Sequence, residues 1–189
     1  MPELDGKVAI VTGAGRLRGI GRAAAVAFAE LGANVVVTGT GRDPATFPTD
    51  KKTAGWRDVH STVEQIETSG RRGLPLVVDV SNEKQVQTMV DRTLEEFGRI
   101  DILVNNAAFA RGPDRVPILD LDPNIFHKVM DIKVTGSFLC TKAVLKPMID
   151  QGDGGKIINI SSTAGKRGTA STLAYNAANF AAVGMTQSM

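Results

Sequence analysis

Lys7–Gly21 reads K-V-A-I-V-T-G-A-G-R-L-R-G-I-G. A short apolar run ends in a glycine-rich turn, and an alanine-rich helical pattern follows from Gly19 to Leu31. Glycines let the backbone turn sharply and approach a pyrophosphate with no Cβ in the way, while the free N–H groups and positive dipole end of the next helix attract the anion. A glycine-rich turn alone is a weak signal. Between a strand and a helix that open a β-α-β unit it becomes a phosphate-loop candidate, with Gly13, Gly19, Ile20 and Gly21 as its contacts.

Working outward, Asn34–Thr38 (N-V-V-V-T) is a second buried-strand run. The same alternation continues through Leu74–Asp79, Asn82–Phe97, Ile100–Asn105, Pro123–Ile149, Lys156–Ser161 and Ala174–Met189. Strands apolar on both faces, separated by amphipathic helices, predict an α/β fold with a doubly wound parallel sheet in a three-layer α/β/α sandwich, built as a single domain over 1–189. Ser81 is the expected cap of the helix from Asn82, Gly98 its expected end, and Asp122 with Pro123 the expected start of another. Gly39–Trp56 holds two prolines and no periodicity, and reads as a long surface loop that either touches cofactor or is a tolerated insertion.

NAD binders place an acidic residue at the end of the second strand to hold the ribose 2′-hydroxyl. Here Thr38-Gly39-Thr40-Gly41 leads to Arg42, and Arg16 and Arg18 project from the glycine turn. A 2′-phosphate would meet cations there, which favours NADP(H) over NAD(H); solvent-facing arginines are the alternative.

These residues resemble the short-chain dehydrogenase/reductase family, and among its members the 3-oxoacyl-reductase-like ones, whose fold is Rossmann-like. T-G-A-G-R-L-R-G-I-G looks like the family's T-G-x-x-x-G-x-G with two extra residues between Gly13 and Gly19. Asp79-Val80 resembles the pair that contacts adenine. Asn105-Asn106-Ala107-Ala108 looks like N-N-A-G, which implies that Asn105 braces the sheet while Asn106 and Ala107 line the cofactor. I-I-N-I-S-S places Ser162 thirteen residues before Tyr175, the family's separation of catalytic serine and tyrosine. The resemblance implies hydride transfer between nicotinamide and a carbonyl or secondary alcohol, with Tyr175 passing the proton and Ser162 holding the substrate oxygen.

Three departures stand out. Y-x-x-x-K reads Y-N-A-A-N, so Asn179 takes the lysine position; in D-I-K-V-T-G, Lys133 takes the place of the active-site asparagine; and the chain stops at Met189, where family members continue through two more strands and a substrate lid. C-terminal truncation relative to the family is therefore expected. Tyrosine's ordinary pKa is about 10, and lowering one by roughly three units takes about 4 kcal/mol. A cation about 4 Å away supplies roughly that amount at an effective dielectric near 20. Asn179 has no charge to give, though its amide suits the nicotinamide ribose. Lys133 is the expected replacement, a swapped site, against the plainer reading of a lysine snorkelling out of its helix. The rival function is a dinucleotide-binding protein without turnover, serving as a sensor, scaffold or inactive subunit.

Composition narrows the remaining classes. A net charge of +2 gives no reason to expect nucleic acid, and no metal site is read from the sequence. The single cysteine, Cys140, sits among apolar residues and reads as a core thiol. No apolar run is long enough to span a bilayer, and charged Glu3, Asp5 and Lys7 replace a signal sequence, so the expectation is a cytoplasmic protein. Lys166 and Arg167 are read either as exposed charge or as a greeting for an anionic substrate group. The helices from Pro123 and Ala174 resemble those that build family dimers and tetramers, and a homo-oligomer is expected.

Overall fold

The computed structural model describes residues 2–189. Five strands, β1 (Val8–Val11), β2 (Asn34–Gly39), β3 (Gly73–Val77), β4 (Ile102–Asn105) and β5 (Lys156–Asn159), form one parallel sheet in the order β3-β2-β1-β4-β5. Side chains alternate faces along a strand. Ala9 and Val11, Val35 and Val37, and Ile102 and Val104 therefore pack on one side, and Ile10, Val36 and Leu103 on the other. Both sides are covered, which is why the strands read as unbroken apolar runs rather than as alternation.

The first side receives α1 (Ile20–Glu30) through Ala25 and Ala29, and α3 (Val59–Thr68) through Val63 and Ile66. Between them in the chain lies the short α2 (Thr49–Thr53). The second side receives α4 (Glu83–Phe97) through Val86, Met89 and Val90, and α6 (Gly136–Asp150) through Cys140, Val144 and Met148. Each valine, isoleucine or methionine among these contributes about 1.5–3 kcal/mol on burial. Helices α5 (Pro123–Met130) and α7 (Leu173–Ser188) make a third cluster around Val129, Ala174 and Ala178. Cys140 is fully buried and its thiol is pushed up to about 12 by burial, which leaves it a packing group.

Several local expectations change. The cap of α4 is Asn82, whose side chain accepts from Gln85 N, whereas Ser81 donates its hydroxyl to Asp79. Gly98 does end α4, in the left-handed conformation at φ 74°, and Asp122 caps α5 with Pro123 at its first turn. Pro123–Ile149 is two helices joined by a π-helical turn, Asp131–Thr135, and the residue after that turn, Gly136, packs so closely on Val80 that a Cβ there would lie 2.6 Å from Val80 Cγ2. Gly39–Trp56 is no plain surface loop. It contains a 3-10 turn at Pro44–Thr46 and α2, and it buries Phe47 and Trp56, two isolated aromatic anchors that leave no periodic trace in the sequence. The last strand closes at Asn159, two residues earlier than expected.

Strand order reverses between β1 and β4, and ligands of open parallel sheets bind in the crevice at such a switch point, beyond the carboxyl ends of the strands.

Candidate functional site

The crevice is built from the turn after β1 and the turn after β4. Thr12 carries the hinge between them: its hydroxyl accepts from Asn106 N at 3.0 Å and Ala107 N at 3.1 Å. Asn106 returns the contact, donating its amide to Thr12 O and Gly13 O at 2.8 and 3.1 Å. A Cβ at Gly13 would stand 2.8 Å from Ala107 Cα, and Gly13 has φ 67°, so close approach and conformation both require glycine there. Asn105 turns into the sheet, donating to Asn159 Oδ1 and Thr141 Oγ1.

A cavity of about 550 Å³ opens above these turns. Its wall includes Gly13, Arg16, Arg18, Gly19, Ile20 and Gly21 from the glycine turn and Thr38 and Arg42 from β2 onward. Asp79 and Val80 after β3, and Asn106 and Ala107 after β4, complete the predicted set. Gly19 precedes α1 in extended conformation with no side-chain cap, and the first turn of α1 holds no acidic residue. Its first N–H groups are therefore open to an anion in the cavity. Thr38 has a buried hydroxyl with no partner at the end of β2. These features fit a dinucleotide.

Beside it lies a second cavity of about 160 Å³, walled by Tyr175, Asn179, Lys133, Ser161 and Asp114. The two cavities share Ile20, Asn106, Ala108 and Phe109. Tyr175 and Asn179 are placed one turn apart on α7, and Lys133 comes from the π-helical turn, whose wider coil directs the side chain inward. Lys133 is 5% exposed and is the one lysine or arginine buried among the described residues. Its ammonium donates to Ile160 O, and burial brings its pKa down from 10.5 to about 8. The snorkelling alternative does not apply. Asn179 donates to Tyr175 O at 2.9 Å, and Ser161 donates to Asn179 O at 3.1 Å.

Ser162 is half-buried and is not among the residues lining either cavity; its hydroxyl oxygen accepts from Ala164 N at 3.2 Å and caps a 3-10 turn. The neighbouring Ser161, which sequence reading passed over, lines the cavity instead. Lys133 is also not the sole cation at hand. Arg115, from the loop after β4, holds its guanidinium carbon 3.8 Å from the centre of the Tyr175 ring, with Nε 3.1 Å from the buried Asp114 carboxylate. Nothing local in G-P-D-R marks this pair; only the folding of the loop over α7 does. Lys166 and Arg167 are exposed and outside both cavities.

A second surprise is Asp58. The end of β2 carries no acidic residue in the chain, but the fold delivers this carboxylate there from just before α3. It is 4% exposed and accepts from Arg42 N at 3.1 Å and Arg42 Nη2 at 2.9 Å. Trp56, also from the insertion, donates its indole N–H to Gly15 O at 2.9 Å, so Gly39–Trp56 braces the glycine turn. Among the described residues no cluster of three or more metal-ligating side chains forms.

Fold and site together place the chain in the doubly wound α/β class, with a crevice at the switch point that fits a dinucleotide. The profile of the short chain dehydrogenase family matches residues 7–189, and the chain belongs to that family. It is 44% identical over 185 residues to the short chain dehydrogenase/reductase astE of Aspergillus oryzae, covering 98% of this chain and 64% of that protein. It is 36% identical over 189 residues to a 3-oxoacyl-[acyl-carrier-protein] reductase of Synechocystis, covering 100% and 69%. Among solved structures, NAD+-bound xylitol dehydrogenase superposes with a TM-score of 0.84 at 31% identity, over 98% of this chain and 64% of the other. A short chain dehydrogenase from Mycobacterium paratuberculosis bound to NAD gives 0.85 at 34% identity, over 98% and 66%. The chain thus spans about two-thirds of the length of the relatives it matches.

Proposed function

We propose that the protein is a nicotinamide-dinucleotide oxidoreductase that interconverts a carbonyl and a secondary alcohol. The observation that carries this is the shared wall of Ile20, Asn106, Ala108 and Phe109, which joins a dinucleotide-sized cavity to a smaller one holding Tyr175. The dinucleotide, when bound, supplies or accepts the hydride. The open N–H groups at the start of α1 hold its pyrophosphate, and Asp79 with Val80 borders its adenine. Tyr175 gives or takes the proton on the substrate oxygen. Ser162 orients that oxygen, with its neighbour Ser161 in the cavity wall.

In this reading the charge that Asn179 lacks comes from Lys133 on one side, while Arg115 covers one face of the Tyr175 ring with its charge partly offset by Asp114. Asn179 keeps a polar role toward the nicotinamide ribose. The NADP(H) preference rests on Arg16, Arg18 and Arg42, and weakens because Arg42 is already paired within the protein. Self-association belongs to the same proposal, supported by Phe138, Leu145 and Ile149 exposed along α6. So does a cytoplasmic location; no helix of the described residues is long and apolar enough to cross a membrane.

The test is a double-mutant cycle on turnover over a panel of carbonyl substrates. Lys133→Asn and Asn179→Lys should each lower activity, by about tenfold or more, and the double change should restore part of it, since residues sharing one site are non-additive. Activity that appears only with Asn179→Lys would replace this reading with dinucleotide binding without turnover.

A further inference from the structure

Asp58 is held in a conformation that a residue with a Cβ seldom adopts, φ 54° and ψ −127°, and among the described residues only Ser171 is another non-glycine with positive φ. Such strain persists only where the surroundings enforce it, and it gathers at binding sites. Here the surroundings are the adenosine end of the large cavity. A Cβ on Gly15 would fall 1.7 Å from Asp58 Oδ1, so the glycine turn is cut back to make room for the carboxylate. On its other side lies Gly39, the last residue of β2, and the cavity wall continues to Asp79 and Val80.

A dinucleotide with its pyrophosphate at the start of α1 and its adenine near Asp79 and Val80 lays the adenosine ribose over the end of β2, where a carboxylate accepts the ribose hydroxyls. Arg42, the side chain best placed to receive a 2′-phosphate instead, is occupied. It donates to Asp58 Oδ1 and to Gly15 O at 3.2 Å, and its guanidinium lies 5.3 Å from the Phe47 ring centre. Arg18 is exposed and stands 3.9 Å from Asp50, and Arg16 is exposed. A phosphate brought to this end would face a buried carboxylate whose one cationic partner is already spent.

We propose that Asp58 reads the adenosine ribose: its carboxylate accepts the ribose hydroxyls and repels a 2′-phosphate, making NAD(H) the preferred cofactor. This rests on the dinucleotide reading above and reverses the preference drawn from the arginines alone.

Binding is measured on the full chain without turnover, through the fluorescence of Trp56, the single tryptophan, whose indole bonds the glycine turn beside Asp58. The unmodified protein is titrated with NADH, NADPH, ADP and adenosine 2′,5′-bisphosphate. NADH should bind at least tenfold more tightly than NADPH, and ADP more tightly than the bisphosphate. Asp58→Asn should bring the two dinucleotides to within about threefold of each other. Arg42→Gln, which keeps the carboxylate, should leave the preference for NADH in place, and it decides the matter if Asp58→Asn does not fold. Equal or tighter binding of NADPH by the unmodified protein overturns the assignment, as does a folded Asp58→Asn with an unchanged ratio or an Arg42→Gln that binds NADPH as tightly as NADH. Failure of every one of these ligands to bind would bring down the dinucleotide reading itself, and this assignment with it.

Discussion

Lys133 is a buried ammonium whose hydrogen bond goes to a carbonyl and not to a carboxylate. Burial lowers its pKa from 10.5 to about 8, so between those values the unfolded chain binds more protons than the folded one, and stability rises with pH. Below about 8 the lysine is charged in both states and the fold carries the full cost of burying it, an upper bound of roughly 3 kcal/mol for such a shift. Lys133→Met should therefore stabilise the protein at pH 7 by about 1–3 kcal/mol, less the lost hydrogen bond to Ile160. The gain should fade as pH rises from 8 to 10.5. Urea denaturation of both proteins across that range checks it; a methionine variant that is less stable at pH 7 would mean that the ammonium is compensated in the fold. A residue that costs stability and lines the cavity of Tyr175 is what a functional lysine looks like. The sequence offered Lys133 by its position, but its inward direction came from the π-helical turn, which no local pattern in D-I-K-V-T-G announces.

At the scale of elements, helix ends separate what local chemistry writes from what context chooses. Asn82 and Ser81 are both good capping residues, and the chain alone favours neither strongly. Asn82 takes the role because Ser81 is drawn to the Asp79 carboxylate by its hydroxyl and its own N–H. Asn82→Ala should cost about 1 kcal/mol in the unfolding free energy, and Ser81→Ala less than half that. Equal losses would contradict the assignment. Gly98 and Asp122 were readable because each acts within its own turn. The insertion Gly39–Trp56 was not, since its order comes from the Trp56 indole reaching distant backbone, from the burial of Phe47 and from the Arg42–Asp58 pair, sixteen residues apart. The W-R-D directly before α3 was the available hint.

For the whole molecule, the groove between α4 and α6 has a volume of about 580 Å³ and an apolar floor of Val86, Val90, Leu94, Leu139 and Pro147. Alongside it α6 exposes Phe138 and Ile149, the latter 72% accessible. Exposed apolar surface on that scale favours association. Sedimentation velocity should find a dimer or larger species that persists on dilution into the low micromolar range, and Phe138→Glu combined with Ile149→Glu should shift it toward monomer. A sedimentation coefficient unchanged by the double substitution would place any contact elsewhere.

The sequence by itself determined the parallel three-layer fold, the glycine turn and the spacing of Ser162 and Tyr175, because periodicity, punctuation and motif spacing are properties of neighbouring residues. Only the tertiary structure decided that Lys133 faces inward, that Ser161 lines the cavity while Ser162 caps a turn, that Arg115 covers Tyr175, and that Asp58 stands at the end of β2. Each of those facts joins residues far apart in the chain. Their pairing depends on how loops cross a folded sheet, and charge, burial and direction at such a crossing have no local signature.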